Sequence, residues 1–334
     1  ILQPVIDLAR NGFVVTKAQA ERLKRNREVF VEVNGPETFF AKEIKEGDTL
    51  KIPVLAATLE RIAKNGRDEF YKGETAKILA RHMQEKGGII TEADLAAYEA
   101  AWRDPIVFPY RDLKIISMAP PSSGGITLAQ ILSMLEQHDL KKLGHHSPEY
   151  IQLLVEAERR AYADRNFYLG DPDFTAVPQQ QLLAADYLDK RASEINPAAI
   201  SATAAVNPGL EGYHTTHFSV LDKHGNAVSN TYTLNLDFGS GVVVEGAGFL
   251  LNNEMDDFSV KPGAPNMYGL VGGEANAIAP NKRMLSCMTP TILAKDGELF
   301  MVVGTPGGTT IPTSVFQTLV NIIEFNLSTI DAVN

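Results

Sequence analysis

Apolar residues recur at spacings of three and four along the first 110 residues, which predicts a mostly helical region. The spacing is clearest over Val54–Ile62 and Ala76–Met83, and it is typical of amphipathic helices that turn one face to a core. A start resembling a capping box at Thr91–Asp94 predicts a further helix. We therefore expect this region to form a helical cover.

The middle of the chain predicts a strand, a loop and two helices. The run Leu113–Met118 alternates, then Pro120–Gly125 (Pro-Pro-Ser-Ser-Gly-Gly) leads into the apolar helical run Ile126–Leu135. A second helix is predicted after Ser147, because serine is a good N-cap and Pro148 suits the first helical position. Ser122–Gly125 (Ser-Ser-Gly-Gly) resembles an anion-binding turn, but we interpret it as structural.

Small and turn-prone residues without apolar periodicity fill 196–214, and strands follow at once. This segment predicts a flexible linker. Two hairpins are predicted after it, Thr215–Thr233 around a glycine-containing loop, and Pro290–Val303 around Lys-Asp-Gly. The apolar spacing in Thr309–Phe325 predicts a packed helix. Strands backed by helices favour an α+β fold with a layered αββα arrangement.

Composition and charge exclude several classes of function. The 334 residues are 44% hydrophobic and 22% charged with a net charge of −10, so nothing suggests a nucleic-acid partner. The most apolar stretches are shorter than the roughly 20 residues of a membrane-spanning helix. The single cysteine, Cys287, excludes a disulfide within the chain, and the seven histidines do not cluster with carboxylates as metal ligands. We expect neither a metal nor another cofactor.

Both ends of the sequence suggest a truncated chain. The first residue is Ile1 rather than methionine, and a helical pattern follows at once. The chain stops at Asn334, just inside a new helix predicted after Ser328. This sequence would not show a leader peptide that had been removed from before Ile1.

The junction His214–Thr215 suggests a nucleophile made by cleavage of the backbone. A threonine hydroxyl is a weak nucleophile, but an N-terminal threonine carries a base in its own α-amine. That amine titrates near 8, close enough to neutrality to accept and return a proton. A cut is best tolerated where a flexible segment meets a strand, and this junction is such a place.

The other parts of such a site each have an alternative interpretation. The N–H groups of Gly307 and Gly308 suit an oxyanion hole, although a plain strand-to-helix turn would look the same. Thr233 and Asn235 are by default solvent-facing residues at a strand end. The acidic group formed by Glu254, Asp256 and Asp257 suits a substrate amine or is simply an exposed turn.

The sequence as a whole resembles the γ-glutamyltransferase family, also called γ-glutamyltranspeptidases or glutathione hydrolases. The resemblance rests on ordered stretches from both halves of the chain: Asp68–Gly73, Asp94–Tyr98, Pro120–Gly125, Tyr162–Arg165, Thr215–Val228, Thr231–Asn235, Leu250–Ser259, Pro280–Arg283 and Thr305–Gly308. It implies an N-terminal nucleophile hydrolase fold, a four-layer αββα sandwich. It also implies a proenzyme that cleaves itself between His214 and Thr215 into two subunits, which form a heterodimer.

By this resemblance, 1–214 is the C-terminal part of the large subunit and 215–334 the N-terminal part of the small subunit. Thr215 corresponds to the catalytic threonine, and Thr233 to the threonine that hydrogen-bonds it and assists processing. Gly307 and Gly308 correspond to the oxyanion glycines. The implied reaction transfers the γ-glutamyl group of glutathione or a related compound through an acyl-enzyme to water, an amino acid or a dipeptide.

Further residues are implied to bind the substrate. Those that hold the glutamyl α-amino and α-carboxylate groups are Asn235, Glu254, Asp257 and Ser286, with Cys287 beside them, and Tyr268 lies in a stretch, Pro262–Gly273, that resembles the family's lid loop. Cys287 is a departure, because the family usually has a second serine there and a thiol is the weaker hydrogen-bonding group. The family's substrate-binding arginine falls before Ile1.

Two other functions remain open from the sequence. A cephalosporin or glutaryl acylase shares the scaffold and the processing threonine, although Asn235, Glu254 and Asp257 together suit a glutamyl head. An uncleaved, inactive relative is the second alternative. The resemblance implies a periplasmic or extracellular location.

Overall fold

The computed structural model describes residues 1–196, 201, 215–264 and 271–334. The chain divides into two compact units, Ile1–Trp102 with Phe238–Asn253, and Arg103–Asp237 with Glu254–Asn334. Among the helices in the described ranges, none is both long enough and apolar enough to cross a membrane. The predicted linker 196–214 lies, apart from Asn196 and Ser201, outside the described residues.

The first unit is mainly helical, as predicted. Its helices are α1 Gln3–Asn11, α2 Lys17–Asn34, α3 Pro53–Asn65, α4 Arg67–Tyr71, α5 Glu74–Glu85 and α6 Glu92–Ala97, and the short strands β1 Phe13–Val14 and β2 Thr49–Leu50 pair antiparallel. The predicted capping box is present, since Thr91 Oγ1 accepts the Asp94 N–H at 3.3 Å and Asp94 Oδ2 accepts the Thr91 N–H at 2.8 Å. Small apolar clusters around Phe30 and Val244 form its core.

The second unit contains the main sheet and the larger core. Its elements are β3 Ile106–Tyr110, β4 Leu113–Ser117, α7 Gly124–Glu136, α8 Leu140–Leu143, α9 Pro148–Tyr168, α10 Gln179–Leu182, α11 Ala185–Ser193, β5 Thr216–Leu221, β6 Ala227–Tyr232, β7 Thr291–Lys295, β8 Glu298–Val303, α12 Ile311–Ile323 and α13 Thr329–Val333. Ser147 caps α9, because its Oγ accepts the Tyr150 N–H at 3.1 Å. Both predicted hairpins and the predicted helices are present.

The sheet is antiparallel with strand order β3-β4-β7-β8. The buried helix α7 packs on β3 and β4 and contacts α9 and α12, so apolar side chains of sheet and helices form one core. The β5–β6 hairpin packs against β7 and β8, and Ser229 Oγ donates to the Val303 carbonyl at 3.1 Å. Helices, sheet and hairpin thus form consecutive layers.

One part of the helical prediction for the first 110 residues is wrong. Ile106–Tyr110 is strand β3, with Ile106, Phe108 and Tyr110 buried in alternation. That period of two is the strand signal. Pro109 is tolerated because β3 is an edge strand, where a missing N–H need not break the ladder.

Candidate active site

Thr215 and Thr233 lie side by side at one end of the β5–β6 hairpin. Thr215 immediately precedes β5 and Thr233 immediately follows β6, and the register pairs Thr216 with Tyr232. Both threonines line the same cavity of about 150 Å³. Thr233 Oγ1 accepts the N–H of Asn235 at 2.8 Å, so the hairpin end and the following turn are tied together. The two threonines predicted to work as a pair therefore line one cavity.

Asn235 is buried in this turn, with 7% of its surface exposed. Its backbone is in the left-handed region, with φ of 74°, which asparagine tolerates better than most residues. Asn235 also lines the cavity. The default interpretation of this side chain as solvent-facing is therefore wrong.

Glu254, Asp256 and Asp257 lie on a 3-10 turn, Glu254–Asp257, that forms the acidic wall of the cavity. Burial raises the pKa of Glu254. Burial, and next the neighbouring Glu254 carboxyl, raises the pKa of Asp257, while the Arg165 guanidinium opposes this rise. The carboxyl groups of Glu254 and Asp257 share a hydrogen bond. These side chains face the cavity, so the alternative of a simply exposed acidic turn does not hold.

Ser286 and Cys287 line the cavity next to Met288. The Pro120–Gly125 loop holds this segment: the Ser123 N–H and Oγ both donate to the Ser286 carbonyl at 2.9 Å, and the Ser286 N–H donates to the Pro121 carbonyl at 2.9 Å. Ser122 Oγ lies 3.2 Å from Ser286 Oγ. The loop is therefore structural in a specific sense: its hydrogen bonds position the segment that is predicted to bind the substrate carboxylate.

Gly307 and Gly308 form the turn between β8 and α12. Both have positive φ, 147° and 54°, and Thr310 closes the turn through its N–H and Oγ1 onto the Gly307 carbonyl at 3.0 and 2.8 Å. Gly308 lines the cavity, and Gly307 immediately precedes it. Gly308 therefore lines the same cavity as Thr215, a position compatible with the predicted oxyanion hole.

Some predicted residues cannot be placed. His214 and Tyr268 lie outside the described residues, as does the middle half of the predicted loop Pro262–Gly273, of which only the two ends are described. Of the two residues that flank the bond expected to be cleaved, only Thr215 is therefore among the described residues.

Two side chains in or beside the cavity had no role predicted for them from the sequence. Tyr162 donates from its hydroxyl to the Thr309 carbonyl at 2.5 Å, next to the glycine turn. Arg165, one turn later on α9, lines the cavity. Both belong to the stretch Tyr162–Arg165, and helical spacing alone places them on one face. What they contact could not be read from spacing.

Comparison with known families identifies the fold around this cavity. The model of the gamma-glutamyltranspeptidase family matches residues 1–334 of the chain. The chain belongs to this family.

Curated relatives agree with the family assignment. The glutathione hydrolase proenzyme of Escherichia coli K12 is 50% identical over 342 residues, covering 100% of this chain and 59% of that protein. The proenzyme of the same name from Pseudomonas aeruginosa PAO1 is 52% identical over 331 residues, covering 98% of this chain and 59% of the relative. The chain thus spans 59% of the length of the curated family members it matches.

Solved structures confirm the predicted α+β fold of the N-terminal nucleophile hydrolase type. A cephalosporin acylase from Bacillus halodurans superposes with a TM-score of 0.79 over 97% of this chain and 59% of its own, at 26% identity. A gamma-glutamyltranspeptidase from Pseudomonas nitroreducens complexed with L-DON has a TM-score of 0.57 over 60% of this chain and 61% of its own, at 45% identity. The scaffold is therefore shared by two kinds of enzyme.

Proposed function

We propose that the protein transfers γ-glutamyl groups from glutathione or related compounds, with Thr215 as the nucleophile. The observation that carries this proposal is the single cavity that collects Thr215, Thr233, the acidic turn and the Ser286–Cys287 segment. A zwitterionic glutamyl head carries an ammonium and a carboxylate on one carbon. A cavity with carboxylates on one wall and hydroxyl, thiol and guanidinium groups on another is complementary to it.

Maturation begins, on this proposal, when Thr215 Oγ attacks the carbonyl carbon of His214. The peptide C–N bond breaks, the acyl group moves to oxygen as an ester, and water hydrolyses the ester to release a free α-amine on Thr215. The β3–β4 pair lies before the cleaved bond, and β7–β8 lie after it. Four residue pairs of β4 and β7, from Lys114↔Ala294 to Ser117↔Thr291, join the two parts in one sheet. This supports a heterodimer that stays together after cleavage.

In turnover, Thr215 Oγ attacks the γ-carbonyl of the substrate while its own α-amine accepts the hydroxyl proton. Backbone N–H groups of Gly307 and Gly308 stabilise the oxyanion, and the leaving amine takes the proton from the ammonium. Asn235, Glu254 and Asp257 hold the α-ammonium end, and Ser286 and Cys287 the α-carboxylate. Water then hydrolyses the acyl-enzyme, or an amino acid or dipeptide accepts the group. Tyr268 is assigned to substrate contact by resemblance alone.

A denaturing gel and a chromogenic substrate test this proposal with the full-length protein. The wild type should migrate as two subunits and release p-nitroaniline from γ-glutamyl p-nitroanilide. Thr215→Ala should give one uncleaved band and no release. The matched control is Thr216→Ala, since Thr216 is exposed on the same strand and should leave cleavage and turnover intact. A wild type that stays uncleaved and releases no p-nitroaniline would favour the alternative that the protein is an uncleaved, inactive relative.

The acylase alternative is tested with glutaryl p-nitroanilide, which has the same carbon chain and carboxylate but lacks the α-amino group. The relative Acylase ACY 1 proenzyme of Pseudomonas sp. SE83 is 36% identical, so this comparison is necessary. The acidic wall of Glu254 and Asp257 favours the γ-glutamyl compound, because an ammonium pairs with it. A preference for the glutaryl compound would overturn the substrate assignment. A periplasmic or extracellular location is carried by the family resemblance alone.

A further inference from the structure

Arg165 is a buried cation in the wall of the active-site cavity. Only 4% of its surface is exposed, and it stands near the end of α9. Its Nε donates to Ser123 Oγ at 3.2 Å, its Nη1 to Asn166 Oδ1 at 2.9 Å and its Nη2 to Cys287 Sγ at 3.1 Å. A guanidinium stays protonated in proteins, so the positive charge is permanent.

The partners of this guanidinium are all neutral. Among the described residues no carboxylate lies within ion-pair distance of Arg165, although Asp257 is near enough for the guanidinium to lower its pKa. A buried charge without a counter-ion is unfavourable, whereas an anion in the cavity would offset that cost. The three contacts use one N–H on each nitrogen, and a guanidinium carries five. One N–H on each terminal nitrogen therefore has no acceptor in the described part of the chain.

The charges around the cavity are separated. The carboxylates of Glu254, Asp256 and Asp257 form one wall, and Arg165 touches Cys287 beside Ser286 on another. A thiol is a weak hydrogen-bond donor, so Cys287 offers a carboxylate little by itself. The fixed charge behind the thiol can supply what the thiol lacks, because electrostatic interactions are stronger in a cavity that excludes water.

We propose that Arg165 is a specificity-determining residue, the buried cation that selects substrates with an α-carboxylate at the Ser286–Cys287 end of the cavity. This inference rests on the proposed function. It assigns to the Tyr162–Arg165 stretch a role in recognition, with Ser123, Asn166 and Cys287 holding the guanidinium in place.

Three p-nitroanilides separate the charges of the glutamyl head. The γ-glutamyl compound has both the ammonium and the carboxylate, the glutaryl compound only the carboxylate, and the 4-aminobutyryl compound only the ammonium. Steady-state kcat and KM are measured for each with the self-cleaved full-length wild type, Arg165→Gln and Arg165→Lys. Circular dichroism and the two-subunit pattern on a gel verify that each variant is folded and processed.

Arg165→Gln should raise KM about tenfold for the two substrates with a carboxylate, since a charge-assisted contact is replaced by a neutral one. For the 4-aminobutyryl compound KM should change less than about twofold. Arg165→Lys keeps the charge and should recover much of the loss. If Arg165→Gln does not process, the lysine variant alone decides, because its loss should still be confined to the carboxylate-bearing pair.

Tyr162→Phe is the matched control on the same helix face. Tyr162 contacts the glycine turn through Thr309, so its loss should lower kcat for all three substrates without selecting between them. An equal loss on all three substrates in Arg165→Gln would reduce Arg165 to a structural residue. A loss that follows the ammonium would assign it to the acidic wall. Either result overturns this inference while leaving the proposed function standing, which fails only if the wild type releases nothing from the γ-glutamyl compound.

Discussion

The hydroxyl of Tyr162 donates to the carbonyl of Thr309 at 2.5 Å and so connects α9 to the turn that carries Gly307 and Gly308. Burial raises the pKa of Tyr162 well above its ordinary value, so the phenol keeps its proton and can donate this hydrogen bond at neutral pH. The turn is otherwise closed by Thr310 onto the Gly307 carbonyl. Tyr162 is therefore a side chain from another element, α9, that helps to hold the turn in place.

Tyr162→Phe should lower kcat for γ-glutamyl p-nitroanilide by about tenfold with KM little changed. The reason is that a shift of the oxyanion donors by less than 1 Å already weakens transition-state binding, and a whole donor is worth about 10²–10³. The measurement is steady-state kinetics. Tyr187→Phe is the control, because Tyr187 also makes a short hydrogen bond, to Asp164 Oδ2 at 2.7 Å, but this partner is not part of the glycine turn. Equal losses in both variants would contradict a specific role for Tyr162.

Local features were predictable from the sequence because their causes are local. The cap at Ser147, the Lys-Asp-Gly turn and the Thr91–Asp94 capping box each depend on a few adjacent residues, and each is present. Strand β3 was missed because its alternation covers only five residues and contains a proline. The pairing of β4 with β7 joins residues such as Ser117 and Thr291, and no periodicity predicts a contact at that separation.

The residues of the candidate site could be predicted mainly from the resemblance of the sequence to the family. The described residues to which the resemblance assigns a role lie in or beside one cavity, but their roles stay predictions. Resemblance gave no role to Arg165, whose partner Cys287 lies 122 positions later. A contact of that kind depends on how α9 packs against the loop of Ser123, and only three-dimensional packing determines it.

The acidic wall predicts a pH dependence specific to substrates that carry an ammonium. Burial raises the pKa values of both Glu254 and Asp257, so the pair takes up protons at a higher pH than ordinary carboxyls, which titrate near about 4. The attraction for the ammonium is complete above these raised values and is lost as pH falls through them. kcat/KM for γ-glutamyl p-nitroanilide should therefore decline on the acid side.

The ratio of kcat/KM for the γ-glutamyl and glutaryl anilides, measured from about pH 5 to about pH 9, isolates this effect. The Thr215 amine titrates in the same range, but it acts on both substrates and cancels in the ratio. Arg165 lowers and Asp256 raises the pKa of Asp257, and both effects are present with either substrate. Asp257→Asn should move the decline to lower pH, because it removes the carboxyl whose pKa is raised by burial and by the neighbouring Glu254. A ratio independent of pH would rule out the pair as the ammonium site.

Glu324 predicts a stability effect far from the cavity. Its Oε1 accepts the Tyr110 hydroxyl at 2.6 Å and the Arg111 Nε at 2.8 Å, and it joins the end of α12 to strand β3. Tyr110 is fully buried and Glu324 is 8% exposed. Tyr110→Phe should lower the free energy of unfolding by about 1–2 kcal/mol, since it removes one of the two donors to the buried carboxylate. Glu324→Gln should lower it by about 1–3 kcal/mol, since it replaces a charged acceptor by a neutral one.

The measurement is the denaturant midpoint followed by circular dichroism. Lys295→Ala is the matched control, because Lys295 makes an ion pair with Asp112 in the same sheet region, at 2.6 Å, but both side chains are largely exposed. Such surface pairs contribute about 0–1 kcal/mol. If Lys295→Ala lowered the midpoint as much as Glu324→Gln, burial would not be the reason that the Glu324 contacts stabilise the fold.

The last prediction concerns the contact between Gly304 and His217, because Gly304 lies three residues before Gly307 in the predicted oxyanion hole. A Cβ on Gly304 would lie 2.2 Å from His217 Cε1. The ring cannot simply turn away, because its Nδ1 lies 2.9 Å from Thr231 Oγ1 and its Nε2 lies 3.2 Å from Ser219 Oγ. Gly304→Ala must therefore move either the ring or the chain that leads through Thr305 and Pro306 to Gly307.

Because reacting groups lose about 10²-fold in rate for a displacement near 1 Å, Gly304→Ala should lower kcat for γ-glutamyl p-nitroanilide at least tenfold. The backbone of Gly304 does not have positive φ, so alanine is strained there only by the ring. His217→Ala in the same molecule removes that ring, and the double variant should regain most of the lost rate. Kinetics of the two single variants and the double variant decide the matter, because a double variant no faster than Gly304→Ala would mean that the contact with His217 is not the cause.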